Sequence, residues 1–334
     1  MYHSRFKGSH YEAGYKWGKS VLKNKGKITD GHTFKISEER KNFAEGCLPI
    51  YGKYYPEILE EIRGIADGQN ISYEDLYTFL FSIYCFEFDS TCFAVKKDDE
   101  VIFGRNSDFL VEIEKLYDSC YYKLEKSYSF IGNTTAFVEM EDGVNEYGLA
   151  AGLTFVYPKI RKAGLNAGML VRYFLEKCRI VKDVLEKIKN LPIASAQTIT
   201  LADKTGDMAV IECNPEKIKI IYPKENENFV VSANNFYSSE MEEYRNPKGV
   251  DDWKSDERYK TAYTALKENK NNYSFEFVKN ILSGKYGFMC QYDRKKGADT
   301  VWSSIYILNE NKIYRTEGNP SRKKYTKDKR LKFN

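Results

Sequence analysis

"DSTCFAVKKDDEVIFGRNSDF", residues 89–109, decides how the rest of the chain is read. It holds two short apolar runs, "CFAV" and "VIFG", separated by a charged corner, a pattern of two strands and a turn. With Asp98 and Asp99 as a two-residue loop, the pairing follows from the loop length: Lys97 faces Glu100, Val95 faces Ile102 and Cys92 faces Arg105. A longer loop would shift this by a residue or so and still return Arg105, Asn106 and Asp108 to the neighbourhood of Cys92. One hairpin thus gathers a thiol, a guanidinium and a carboxylate.

Upstream of this hairpin the sequence reads as helical. "SHYEAGYKWGKSVL" opens with a capping box from Ser9 to Glu12, and Gly14 and Gly18 share one helix face where a neighbouring element could come close. Apolar positions recur at helical spacing through "SEERKNFAEGCLPIYGKYY" and "PEILEEIRGIADGQN", the second opened by Pro56. "SYEDLYTFLFSIYCF" has Ser72 and Asp75 in capping positions. Downstream the texture is strand-like: "DSCYYKLE", "TAFVEMEDG", "LAAGLTFVY" and "QTITLADKTGDMAVIECNPEKIKIIYP". Helical patterns interrupt at "AGMLVRYFLEKC", "VKDVLEKIKNL", "SDERYKTAYTALKEN" and "SFEFVKNILSG", and strands return at "DTVWSSIYIL" and "KIYRTEG". The expectation is one α+β body with a helical N-terminal segment.

The chain has 334 residues, enough to bury a large core, and its 42% hydrophobic and 30% charged composition is that of a globular protein. The net charge of +4 is misleading. The tail "SRKKYTKDKRLKFN" alone carries +6, so the remainder is about −2, which weighs against a nucleic-acid binder, since its basic residues would need to lie on the folded face; the tail reads as a solvated end. Seven scattered cysteines without C-x-x-C spacing suggest neither a disulfide framework nor a zinc site. The three histidines, His3, His10 and His32, all lie near the N-terminus, which disfavours metal chemistry. "LYTFLFSIYCF" is too short for the roughly 20 residues that span a bilayer, and no signal pattern opens the chain. A reduced, cytoplasmic protein without membrane or nucleic-acid partners is the plain reading.

A guanidinium near Cys92 favours its thiolate and hence its nucleophilicity. Thiol hydrolases also need a base. That base is usually a histidine, yet His10 and His32 lie far upstream and would have to fold back. The alternative is the nucleophile's own α-amino group, freed by cleavage of the Thr91–Cys92 bond; its ordinary pKa of about 7.7–8.0 suits proton transfer near neutrality. Against both stands the bland reading, in which Cys92 fills a core and Arg105 and Asp108 form a surface pair.

The ordered motifs weigh against the bland reading. "GSHYEAGYKWG", "EILEEIRGIADGQNISYEDL", "TCFAV…IFGRNSDF", "DGVNEYGLAAGLTF", "VVSANNF" and "SDERYKTA" together resemble the self-processing N-terminal-nucleophile hydrolases of the penicillin acyltransferase type, and more distantly the choloylglycine hydrolases. The resemblance covers nearly the whole chain. It implies a four-layer αββα sandwich, with residues 1–91 as a pro-segment retained after cleavage and 92–334 as the catalytic part. It further implies Cys92 as nucleophile, with Arg105 and Asp108 beside it and Asp108 holding the new α-amino group. Asn234, or in second place Asn235, would donate to the oxyanion, and Arg258 would complete the polar network. The implied reaction is cleavage of a linear acyl amide through a thioester, with no cofactor and no metal. The alternatives are acyl transfer to an amine, with a coenzyme A thioester as a conceivable donor, and an unprocessed, inert binding protein. A homo-oligomer is compatible with either. Three positions depart from the pattern: Phe93 replaces a commoner Thr or Ser, Thr91 replaces a Gly, and Thr154 replaces the second oxyanion Asn of bile-salt hydrolases. The first two weigh against rapid self-cleavage, and the third against bile salts as substrate.

Overall fold

The structure is a computed structural model that describes residues 1–24, 26–30, 34, 36–83, 85, 89–270 and 273–330. The chain opens with strand β1 (Arg5–Gly8) and helices α1 (His10–Lys23), α2 (Glu38–Tyr54), α3 (Pro56–Gln69) and α4 (Tyr73–Ser82). Strands β2 (Asp89–Lys97), β3 (Glu100–Leu110), β4 (Asp118–Leu124), β5 (Phe130–Thr134), β6 (Asp142–Asn145) and β7 (Ala150–Phe155) follow. Helices α5 (Ala167–Lys177) and α6 (Val181–Ile188) lead to β8 (Gln197–Ala202), β9 (Met208–Cys213), β10 (Ile218–Ile221) and β11 (Phe229–Ser232). The remainder is α7 (Ser255–Glu268), α8 (Phe275–Leu282), β12 (Ala298–Ile307), β13 (Lys312–Thr316) and β14 (Thr326–Asp328).

The strands form two sheets, an eight-stranded one ordered β1-β4-β5-β6-β7-β8-β9-β10 and a six-stranded one ordered β11-β2-β3-β12-β13-β14. Side-chain alternation along β2 and β3 shows how they stack. Cys92, Ala94, Val101 and Phe103 pack with Ile131, Val144, Ala150 and Ala202 of the larger sheet, so this face lies between the sheets. Their neighbours Phe93, Val95 and Ile102 turn the other way, onto Ala262, Leu266, Val278 and Leu282 of α7 and α8. Helices α1 to α6 cover the far side of the larger sheet, where Ile62, Leu80, Leu170 and Phe174 pack with Phe130, Leu153 and Ile199. The order is helices, sheet, sheet, helices: a four-layer αββα sandwich.

Sequence and structure agree closely in the hairpin. Asp98 takes a positive φ of 52° in the turn, and the ladder pairs Lys97 with Glu100, Val95 with Ile102 and Cys92 with Arg105. Ser9 and Glu12 form the capping box of α1, and Gly14 and Gly18 let α1 lie directly on α3. A β-carbon at Gly14 would lie 2.0 Å from the Glu61 carbonyl oxygen, and one at Gly64 would lie 2.2 Å from that of Tyr11. The close approach is therefore reciprocal.

Three expectations need correction. The N-terminal segment is not wholly helical, because β1 joins the larger sheet in parallel to β4, and β2 already begins at Asp89. Most of "TAFVEMEDG" is a connection, since β5 ends at Thr134 and β6 starts at Asp142. The basic tail is anchored as far as Arg330: β14 pairs with β13, and Arg330 donates to the Ser119 carbonyl at 2.6 Å and its hydroxyl at 2.7 Å. A count of charges cannot see such pairing. Among the described residues, no helix is long and apolar enough to cross a membrane.

Candidate active site

Strand geometry divides the polar groups of the hairpin into two sets. Arg105 and Asp108 are three residues apart on β3, an odd offset that puts them on opposite faces. Arg105 points between the sheets with Cys92, whereas Asp108 points towards the α7 side with Thr91. The Thr91–Cys92 peptide bond joins the two sets, in the interior of a buried strand.

On the inner side, Arg105 is wholly buried and held at every nitrogen. Its Nε donates to the Leu153 carbonyl at 3.2 Å, one terminal nitrogen donates to Asp142 at 3.0 Å and the other to Glu141 at 3.2 Å. Glu141 also accepts from Ser107 at 2.8 Å and from Thr135 at 2.6 Å. Asp142 accepts from Arg105, from the Trp302 indole at 3.0 Å, from Asn133 at 2.5 Å and from the Tyr306 hydroxyl. Arg105, Trp302 and Tyr306 belong to the smaller sheet and Asn133 to the larger, so Asp142 ties the two sheets together. Gly152 on β7 makes room for the thiol: a β-carbon there would lie 3.0 Å from Cys92 Sγ and 3.1 Å from Arg105 Cδ.

Burial pushes the Cys92 thiol well up, and Arg105 and a hydrogen bond with Thr200 offset this only in part. Cys92 is therefore a neutral thiol at physiological pH. It shares this with the other cysteines, all buried and none in a disulfide; burial lifts Cys47 to about 11 and Cys290 to about 12. Nothing in the resting thiol singles out Cys92; its partners do.

On the outer side, Arg258 of α7 is the organising group. Its Nε donates to the Trp253 carbonyl at 2.9 Å, and Nη2 donates to the Asp252 carbonyl at 3.0 Å and to Asn234 Oδ1 at 2.9 Å. Nη1 donates to the Thr91 hydroxyl and lies 3.5 Å from Asp108 Oδ2. Asp108 also accepts from Thr300 at 2.5 Å and from Tyr292 at 3.2 Å. Burial raises the Asp108 carboxyl, against the pull of Arg258.

Asn234 and Asn235 have different roles in the chain. Asn234 donates its amide to the Phe155 carbonyl at 2.8 Å while its oxygen takes the Arg258 bond. Asn235 Oδ1 instead accepts the amides of Phe236 at 2.9 Å and Asn246 at 3.1 Å, a turn-holding arrangement. Thr154 donates its hydroxyl to the Ala233 carbonyl at 2.8 Å, fastening the end of β7 to the segment that carries Asn234.

The histidines lie elsewhere. His10 bonds Glu176 at 3.1 Å, and His3 bonds Glu317 at 2.7 Å; His32 lies outside the described residues. Ligand atoms of His10, Glu61 and Glu176 fall within 4.8 Å of one another. Arg172 already bonds both carboxylates, at 2.8 Å and 2.6 Å, so this cluster is a filled ion-pair network.

Sequence reasoning passes over Asp142, Glu141 and Gly152. Two of them stand inside "DGVNEYGLAAGLTF", where an acidic residue at the head of an apolar strand is the available signal.

Two stacked sheets between helix layers, with the hairpin that carries Cys92 at their centre, define the N-terminal-nucleophile hydrolase fold. The same fold is found in a point mutant of the conjugated bile acid hydrolase from Clostridium perfringens, with 17% identity, a TM-score of 0.52 and coverage of 73% of this chain and 94% of that one. A second variant of that hydrolase matches at 14% identity, with the same TM-score of 0.52 and the same coverage of 73% and 94%. No curated protein sequence matches the chain. The sequence profile of the acyl-coenzyme A:6-aminopenicillanic acid acyl-transferase family matches residues 95–322, and the chain belongs to that family.

Proposed function

We propose that the chain is a self-processing amidohydrolase whose nucleophile is Cys92. The observation that carries this reading is the setting of one peptide bond: Cys92 is registered against Arg105, and the preceding Thr91 is held by Arg258. Attack of Sγ on the Thr91 carbonyl would move the acyl group from nitrogen to sulfur, and water would then release residues 1–91 from a new N-terminal Cys92. The freed amine is the base that the resting site lacks. It takes the thiol proton when Sγ attacks an external amide and returns it to the leaving amine.

Within this reading, Arg105 favours the thiolate, and Asp108, fixed by Arg258, Thr300 and Tyr292, receives the new ammonium group. Asn234, held by Arg258 and by the Phe155 carbonyl, presents an N–H of its side-chain amide to the oxyanion. Asn235 keeps the neighbouring turn, and Thr154 supports the same segment through Ala233. Membership of an acyl-transferase family keeps a second outcome open, in which an amine rather than water resolves the thioester. Both outcomes share the nucleophile.

The test is to sequence the N-terminus of the large fragment and then assay it against a panel of acyl p-nitroanilides, with and without an added amine. The reading expects a fragment beginning Cys-Phe-Ala-Val and release of p-nitroaniline that stops on alkylation of Cys92. A fragment that starts elsewhere, or an alkylated protein that keeps its activity, would refute it.

A further inference from the structure

The first acyl group that Cys92 would attack belongs to the chain itself, and it is the acyl group of Thr91. The thioester formed in self-cleavage and the thioester formed with an external amide share the same bond, Cys92 Sγ to an acyl carbon. The contacts made by Thr91 are therefore a record of what the acyl side of the site recognises.

Thr91 is wholly buried, and its hydroxyl accepts from Arg258 Nη1. Arg258 is wholly buried too, and its Nε and Nη2 bonds run to Trp253, Asp252 and Asn234, groups on the far side of the scissile bond that stay in place after cleavage. The guanidinium is thus held rigidly, and Nη1 is aimed at an oxygen on the carbon two bonds from the carbonyl. Counted along an acyl chain, the threonine hydroxyl sits on carbon 3. Without that oxygen Nη1 gives up this hydrogen bond and keeps the longer 3.5 Å contact with the Asp108 carboxylate, so an acyl chain that lacks the oxygen binds less well.

We infer that the acyl site is built for amides whose acyl chain carries a hydroxyl, or another hydrogen-bond acceptor, on its third carbon. This rests on the proposed role of Cys92. The reaction is ordinary amide hydrolysis: Sγ bonds to the acyl carbon, the C–N bond breaks, and the thiol proton leaves on the amine. Water then splits the thioester, giving a 3-hydroxy acid and the free thiol. Threonine has the R configuration at its β-carbon, so the R hydroxyl is the matching one.

The experiment uses the processed enzyme with the p-nitroanilides of hexanoic, (R)-3-hydroxyhexanoic and (S)-3-hydroxyhexanoic acid. In parallel, self-cleavage is timed in Thr91→Val, which removes the hydroxyl at constant shape, and in Thr91→Ser, which keeps it. The expected result is a kcat/KM about tenfold or more higher for the R hydroxy substrate than for the plain one. Thr91→Val should cleave about tenfold more slowly than Thr91→Ser. Equal kcat/KM for all three anilides would overturn the inference while leaving the role of Cys92 intact. Absence of both self-cleavage and anilide hydrolysis in the wild type would remove the nucleophile reading, and the inference with it.

Discussion

At the scale of single residues, the proposed chemistry depends on how Arg105 is held. Asp142 meets four donors, from Arg105, Trp302, Asn133 and Tyr306. Only an ionised carboxylate can accept from all of them, because an asparagine would turn an N–H group towards two of the donors. Asp142→Asn should therefore slow self-cleavage by at least about tenfold and cost roughly 3–5 kcal/mol of stability. Cleavage half-times and urea midpoints measure the two effects. If Asp142 acts through Arg105, the half-time should not lengthen further when the change is added to Arg105→Met. An unaltered half-time in the single variant would contradict this role. Asn234→Ala should cost about 10²–10³-fold in kcat on the best anilide, the usual loss for one oxyanion donor. A loss below about threefold, far short of that range, would assign Asn234 to structure alone.

At the scale of elements, the N-terminal helices are fastened to the sandwich by a buried ion network. Glu176 of α5 accepts from Arg172 at 2.6 Å, from His10 of α1 and from Tyr55 beside α3 at 2.7 Å, and Arg172 reaches Glu61 of α3 at 2.8 Å. Burial would raise the Glu176 carboxyl, but Arg172 and His10 outweigh it and bring the pKa from 4.5 down to about 2. A depressed carboxyl stabilises the folded state above its ordinary pKa, and that contribution fades as pH falls from about 4.5 through 2. Glu176→Gln should thus lose about 3–5 kcal/mol at neutral pH, and the gap from wild type should narrow between pH 4.5 and 2. Urea unfolding at several pH values checks this, and a gap independent of pH would contradict it.

Elements also show what the sequence could and could not convey. The hairpin was legible because a two-residue loop sets the register, and the register alone brings Cys92 opposite Arg105. Helices α1 to α8 were legible from their apolar spacing, with start signals at Ser9, Pro56 and Ser72 for α1, α3 and α4. Three features do not appear in the sequence reading above: the joining of β1 to β4, the pairing of β14, and the division of Arg105 and Asp108 onto opposite faces. The first two are pairings between strands whose partners no local pattern reports. The third follows from strand alternation and was available in the spacing. The role of Asp142 is not written in any local pattern, because its four partners lie on three strands and meet only when the sheets stack.

At the scale of the whole molecule, residues 1–91 are built into the body rather than draped over it. β1 is hydrogen-bonded into the larger sheet, and Ile58, Ile62, Leu76 and Leu80 share one core with Leu170 and Phe174. After cleavage the two fragments should stay together. They are expected to elute as one species on size exclusion in native buffer and to separate only in denaturant. Separate elution in native buffer would contradict a retained pro-segment.

The most direct measurement is intact mass under denaturing conditions for the wild type beside Cys92→Ala. Two masses that part between Thr91 and Cys92 in the wild type, and one full-length mass in the variant, are the predicted result. A wild type that stays whole, or a variant that is cut at the same bond, would contradict a self-processing Cys92.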